Sequence, residues 1–71
     1  MIKYPEIGKL YKHYKGGIYE VITIAKHSET DELLVIYKSI CFGTIYARPL
    51  AMWFEKIAID EKYEASRFTL L

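Results

Sequence analysis

Arg48 and Arg67 are the only arginines in a chain with ten basic residues, and they are the side chains best suited to hold an anion. The planar guanidinium fork grips a carboxylate or phosphate through two parallel hydrogen bonds, which a lysine ammonium cannot do. With Lys15 or His13 beside them, the two arginines would form an anion pocket. The competing reading is that each pairs with an internal carboxylate such as Glu29 or Glu55, or with backbone carbonyls, and holds the fold shut. The sequence leaves both open.

His13 and His27, the only histidines, can serve as a general base, a metal ligand or a hydrogen-bond partner of a ligand. Each can equally tie a turn to the backbone; in His27-Ser28-Glu29-Thr30, Glu29 or Thr30 can accept from the ring. Seven Tyr and one Trp make an aromatic surplus. Most of these rings are expected in the core or in oligomer contacts, and Tyr14, Tyr46 and Trp53 remain as stacking platforms for a flat ligand or a peptide. The ligand-binding set read from residue type and position is therefore His13, Tyr14, Lys15, His27, Glu29, Arg48, Trp53 and Arg67.

Catalysis finds little footing. Ser28 has His27 and Glu29 as neighbours, but adjacent side chains diverge and cannot form a triad. No framed pair of carboxylates is evident. Gly16-Gly17 is not a phosphate loop, since no Gly-Lys-Ser/Thr follows and a strand comes next. The two His and the one Cys lack the short spacings of a zinc site, so neither metal nor cofactor is expected. Cys41 and Met52 read as core fillers.

The elements that position these residues are mostly strands. Lys9 to Tyr14 alternates imperfectly, and Gly16-Gly17 supplies a tight turn because both residues reach positive φ without steric cost. Ile18 to His27 is a strand by composition, with Ile18, Ile22 and Ile24 on one face. Straight, it would hold His13 and His27 roughly 30 Å apart at about 3.3 Å per residue. Ser28 to Asp31 is a polar turn. Leu33 to Ile40 returns as a strand that Gly43 breaks, and Thr44 to Arg48 is a fourth strand stopped by Pro49. Leu50, Trp53, Phe54 and Ile57 recur at helical spacing, which predicts one or two turns over Pro49 to Lys56. Ile59 to Ser66, rich in charge, reads as a loop, and Arg67 to Leu71 as a last strand. The expectation is a small five-stranded antiparallel barrel with one helical turn before the last strand, formed as a single domain over residues 1–71.

Seventy-one residues bury only about 60% of the surface of the unfolded chain, so such a domain needs a disulfide, a metal, an efficient core or an oligomer. One cysteine excludes an internal disulfide, and 52% apolar residues suit a homo-oligomer. A net charge of +1 with well-mixed signs gives duplex nucleic acid little to bind. No apolar run reaches membrane-spanning length, and Met1-Ile2-Lys3-Tyr4-Pro5 lacks a leader's layout. With a lone thiol, these features point to the cytoplasm.

Several segments together resemble one family. They are Gly8 to Gly17, Tyr19-Glu20-Val21, Ala25 to Thr30, Val35-Ile36-Tyr37, Arg48 to Glu55 and Arg67-Phe68. In this order the chain is similar to the DUF1653 family, small domains of unknown function, and the resemblance implies an SH3-like barrel. Trp53 stands where Phe is expected, Ser66 where Pro usually precedes the Arg-Phe pair, and no Gly interrupts Ile59 to Glu64. The resemblance brings no activity. The function expected is a non-enzymatic module binding a small anionic ligand, nucleotide-derived ligands included, in the manner of a phage-encoded sequestering protein. The alternative is an adaptor docking a peptide or protein partner on an aromatic groove; single-stranded RNA ranks below both.

Overall fold

Described by a computed structural model over residues 3–71, the chain forms β1 (Leu10–His13), β2 (Ile18–Lys26), β3 (Leu33–Ser39), β4 (Ile45–Pro49), α1 (Leu50–Trp53), β5 (Lys56–Asp60), β6 (Tyr63–Ser66) and β7 (Phe68–Leu70). Met1 and Ile2, part of the stretch read for a leader, lie outside the described residues. Antiparallel pairing gives a five-stranded sheet in the order β4-β3-β2-β1-β7 and a separate β5-β6 hairpin. The five strands of the sheet are the five expected from the sequence.

Turn chemistry sets the register. Gly16 adopts φ +110° in the β1-β2 turn, where any side chain would be strained. Gly17 instead makes room for a neighbour, because a Cβ there would lie 2.9 Å from Cε2 of the Tyr19 ring and would have to displace it. In the β2-β3 turn Asp31 takes φ 62°, and its N–H donates to the His27 carbonyl at 2.9 Å.

The inward face of β2 departs from simple alternation. Pairing with β3 slips between Val21 and Thr23, so Ile22 is a bulge residue. Tyr19 and Val21 point to the core before the bulge and Ile24 after it, while Ile22 is exposed. The expected shared face of Ile18, Ile22 and Ile24 is thereby corrected: one extra residue inverts the parity of everything beyond it.

The sheet does not close into a barrel, because β4 and β7 are its edges and do not pair with each other. It is nevertheless strongly curled. In a flat sheet, β3 and β7 would lie roughly 14 Å apart at about 4.8 Å per strand. Yet the Tyr37 and Phe68 rings are 5.6 Å apart, and the Arg48 guanidinium from β4 is 5.8 Å from the Phe68 ring centre. The concave face holds the core of Tyr11, Val21, Val35, Tyr37, Leu50, Trp53 and Phe68. Trp53 lies flat on Phe68 at 3.8 Å, with the edges of Tyr11 and Tyr37 against it.

The helix is a single turn, and Ile57 belongs to β5 rather than to its apolar face. The segment from Ile59 to Ser66 is not a loop but the greater part of the β5-β6 hairpin, whose turn is tied by the Lys62 N–H on Asp60 Oδ1 at 2.8 Å. Its charged residues obscured the strand pairing, and in the hairpin only Ile57 and Ala65, a cross-strand pair, are half-buried. Cys41 is exposed in the β3-β4 turn and Met52 is 37% exposed on α1, so neither fills the core. No described helix is long and apolar enough to cross a membrane.

Candidate functional site

His13 ends β1, where Phe68 of β7 is its cross-strand partner and its backbone N–H donates to the Gly17 carbonyl at 2.7 Å. The Lys15 N–H donates to His13 Nδ1 at 3.1 Å, which leaves the proton of the neutral ring on Nε2. The ring sits edge-on to Phe68 at 5.0 Å and tilted against Tyr14 at 4.6 Å. Burial holds the imidazole pKa below its ordinary value of 6.5, and the positive charges of Arg48, Arg67 and Lys15 push it the same way. His13 is thus an uncharged N–H donor at neutral pH in a positive field.

Arg48 reaches this cluster from the opposite edge of the sheet. Alternation in β4 places Tyr46 and Arg48 on the concave side: Tyr46 stacks on Tyr37 at 5.5 Å, and Arg48 Nε donates to the Tyr37 hydroxyl at 3.3 Å. Its guanidinium also lies toward the Phe68 ring that His13 touches. Among the described residues no carboxylate pairs with it.

Arg67 divides its donors. One terminal nitrogen meets Glu55 Oε2 at 3.2 Å, and the Arg67 N–H donates to the Glu55 carbonyl at 3.0 Å, so together these contacts clamp the base of the β5-β6 hairpin. This is the internal pairing with Glu55 that the sequence allowed. Its Nε is buried with no acceptor, as is Trp53 Nε1.

His13 and Arg48 thus approach the same Phe68 ring, and the charge of Arg67, held at Glu55, acts on the imidazole as well, with Lys15 and Tyr14 at the margin. His27 and Glu29 stand apart, at the other end of β2. There His27 Nδ1 accepts the N–H of Glu29 at 3.1 Å and of Thr30 at 3.3 Å. The ring ties the turn, with backbone as donor and ring as acceptor, the reverse of the direction expected. Trp53 is fully buried and offers no face to a ligand, which removes it as a stacking platform. Tyr46 keeps 42% of its surface exposed beside Arg48.

A second feature escaped sequence reasoning. A cleft of about 540 Å³ opens between the β1-β7 edge of the sheet and the β5-β6 hairpin, with His13 and Tyr14 on one wall and Ile59 and Tyr63 on the other. Reading residues 59–66 as a loop hid its far wall.

The family model DUF1653, a protein of unknown function, matches residues 9–70. No curated protein matches the chain. A crystal structure of a DUF1653 protein from Bordetella bronchiseptica is similar to the whole chain and to 92% of its own, at 27% identity and a TM-score of 0.83.

Proposed function

The chain belongs to the DUF1653 family, and from that premise we propose that it is a non-enzymatic module that binds a small anion, nucleotide-derived anions included. The observation that carries this reading is the Arg48 guanidinium. It is half-buried, has no acidic partner among the described residues, and is drawn to the same ring as His13. A cation held this way without a carboxylate raises the local potential, and a bound anion would relieve it. Arg67 adds a second positive charge acting on His13, and His13 adds Nε2–H.

The experiment is titration with sulfate by calorimetry, comparing the native protein with Arg48→Ala and following the fold by circular dichroism. Binding lost by about tenfold or more with the sheet intact supports the reading. Unaffected binding, or no binding by the native protein, rejects it. Unfolding of Arg48→Ala would return Arg48 to a structural role, and Arg48→Gln, which keeps a hydrogen bond to Tyr37, then separates charge from packing.

The adaptor alternative draws less support, since Tyr11, Tyr37, Trp53 and Phe68 are all buried. The curled sheet, open between β4 and β7, suits an SH3-like fold whose barrel is not fully closed. Self-association is part of the same reading. The free β4 edge carries exposed Ile45, and the adjoining turn exposes Ile40 and Phe42, the latter at 82%. An unpaired edge of this kind fits the same edge of a second copy.

A further inference from the structure

We propose that the cleft beneath the β5-β6 hairpin holds the body of the ligand, and that the ligand is a nucleoside phosphate whose anionic end lies at His13 and the arginines. This rests on the anion-binding reading above and extends it to a second set of residues.

Continuity is the first argument. His13 lines the cleft, and it also sits in the field of Arg48 and Arg67. A molecule with its charge at His13 can therefore extend its remaining atoms into this cleft.

The second argument is the chemistry of the walls. Tyr63 and Ile59 are 58% and 50% exposed although they line a concavity, and Tyr14 faces the cleft from the sheet side. Ile59 sits where β5 pairing slips between Ala58 and Asp60, a bulge of the sort that re-aims a side chain. Exposed aromatic and aliphatic surface on both walls suits a flat ring better than a chain of charges.

The third argument is polarity. Glu64 and Lys12 both line the cleft, so its wall charges balance, and Glu64 would accept from an amino group or a sugar hydroxyl. Ser66 and Thr69 add hydroxyls on the same lining. The lining thus offers aromatic and aliphatic surface, hydroxyls and an acceptor, with the arginine charges acting on His13 at its margin. A base, a ribose and a phosphate would each find a partner among these groups. The size also fits, since pockets for molecules of this class run from roughly 300 to 1,000 Å³.

The test compares inorganic phosphate, adenosine 5′-monophosphate and adenosine as probes by calorimetry and by amide chemical shifts of the intact protein. The nucleotide is expected to bind about tenfold or more tighter than phosphate, with shifts at Tyr14, Ile59 and Tyr63. Tyr63→Ala, a change at an exposed position, should erase that margin while leaving phosphate binding as it was. Equal affinity for nucleotide and phosphate would overturn the cleft assignment and leave the anion site standing. Adenosine binding as tightly as the nucleotide would also overturn it, by separating the cleft from the arginines. Failure of all three probes to bind would reject the anion-binding reading and this inference with it.

Discussion

At the residue scale His13 couples charge, stability and binding. Its pKa in the folded protein lies below 6.5, from burial first and then from Arg48, Arg67 and Lys15. Between the lowered value and 6.5 the unfolded chain binds more protons than the folded one. Stability from this group is therefore fully present above 6.5 and is lost as pH falls through the folded pKa. Protonation would also put a proton on Nδ1, against the Lys15 N–H that now donates to it. Denaturant midpoints measured from about pH 7 to about pH 5 should decline, and His13→Gln should flatten the part of the decline due to this ring. A bound anion reverses the field at the imidazole. Sulfate, which keeps its charge over this range, should bind more tightly as pH falls, and its binding should be accompanied by proton uptake at His13, read as buffer-dependent heats in calorimetry. An affinity independent of pH, or no dependence on buffer, would place the anion away from His13.

At the element scale two close approaches decide the geometry. Gly17 leaves room for the Tyr19 ring, so Gly17→Ala should cost about 1–3 kcal/mol through displacement of that ring, measured by chemical denaturation. A cost near zero would mean that the ring swings aside freely. The base of the hairpin is the other: Glu55→Gln removes the ion pair to Arg67. Glu55 is 45% exposed on its side chain, so global stability should change by less than about 1 kcal/mol. Amide exchange across Lys56 to Ser66 should nevertheless quicken, and unchanged exchange would show that the backbone bond from Arg67 to Glu55 suffices. These elements were unequally legible in the sequence. Of the five strands of the sheet, β2 and β3 announced themselves through β-branched runs, and β1, β4 and β7 mainly through the Gly, Pro and polar segments that bound them. The bulge at Ile22 did not, because a one-residue slip leaves composition unchanged and only pairing with β3 reveals it. The hairpin was hidden by its charges. The convergence of Arg48 and Arg67 on His13 was legible only as a suggestion from residue type, since it depends on a curl that brings opposite sheet edges together. Trp53 was misread for the complementary reason: helical spacing gave its place but not the depth at which Phe68 covers it.

At the scale of the whole molecule the question is what shields the β4 edge. Ile45 to Pro49 has no described strand beyond it, and the only charged side chain on it, Arg48, is turned to the concave face rather than guarding the edge. Natural edges are commonly blunted by lysine, a bulge or proline, and here only Pro49, at the strand's last position, does so. Next to it Ile40, Phe42 and Ile45 are 50%, 82% and 62% exposed, an apolar row unusual on a chain with so little core to spare. Antiparallel pairing of two β4 strands about a twofold axis would satisfy the edge and cover that row, and would set two copies of Arg48 and Tyr46 near the shared seam. Native mass spectrometry at micromolar concentration should then report a dimer or a higher even-numbered assembly. Phe42→Ser together with Ile45→Thr should shift it to monomer with the circular dichroism spectrum preserved. Sulfate affinity of that monomer then separates two designs. Retained affinity means each chain carries a whole site and the seam serves stability. Affinity lost along with the dimer, in a chain still folded, means the anion site is completed across the seam. A native protein that is monomeric throughout would reject the pairing and leave the edge to a strand from another partner.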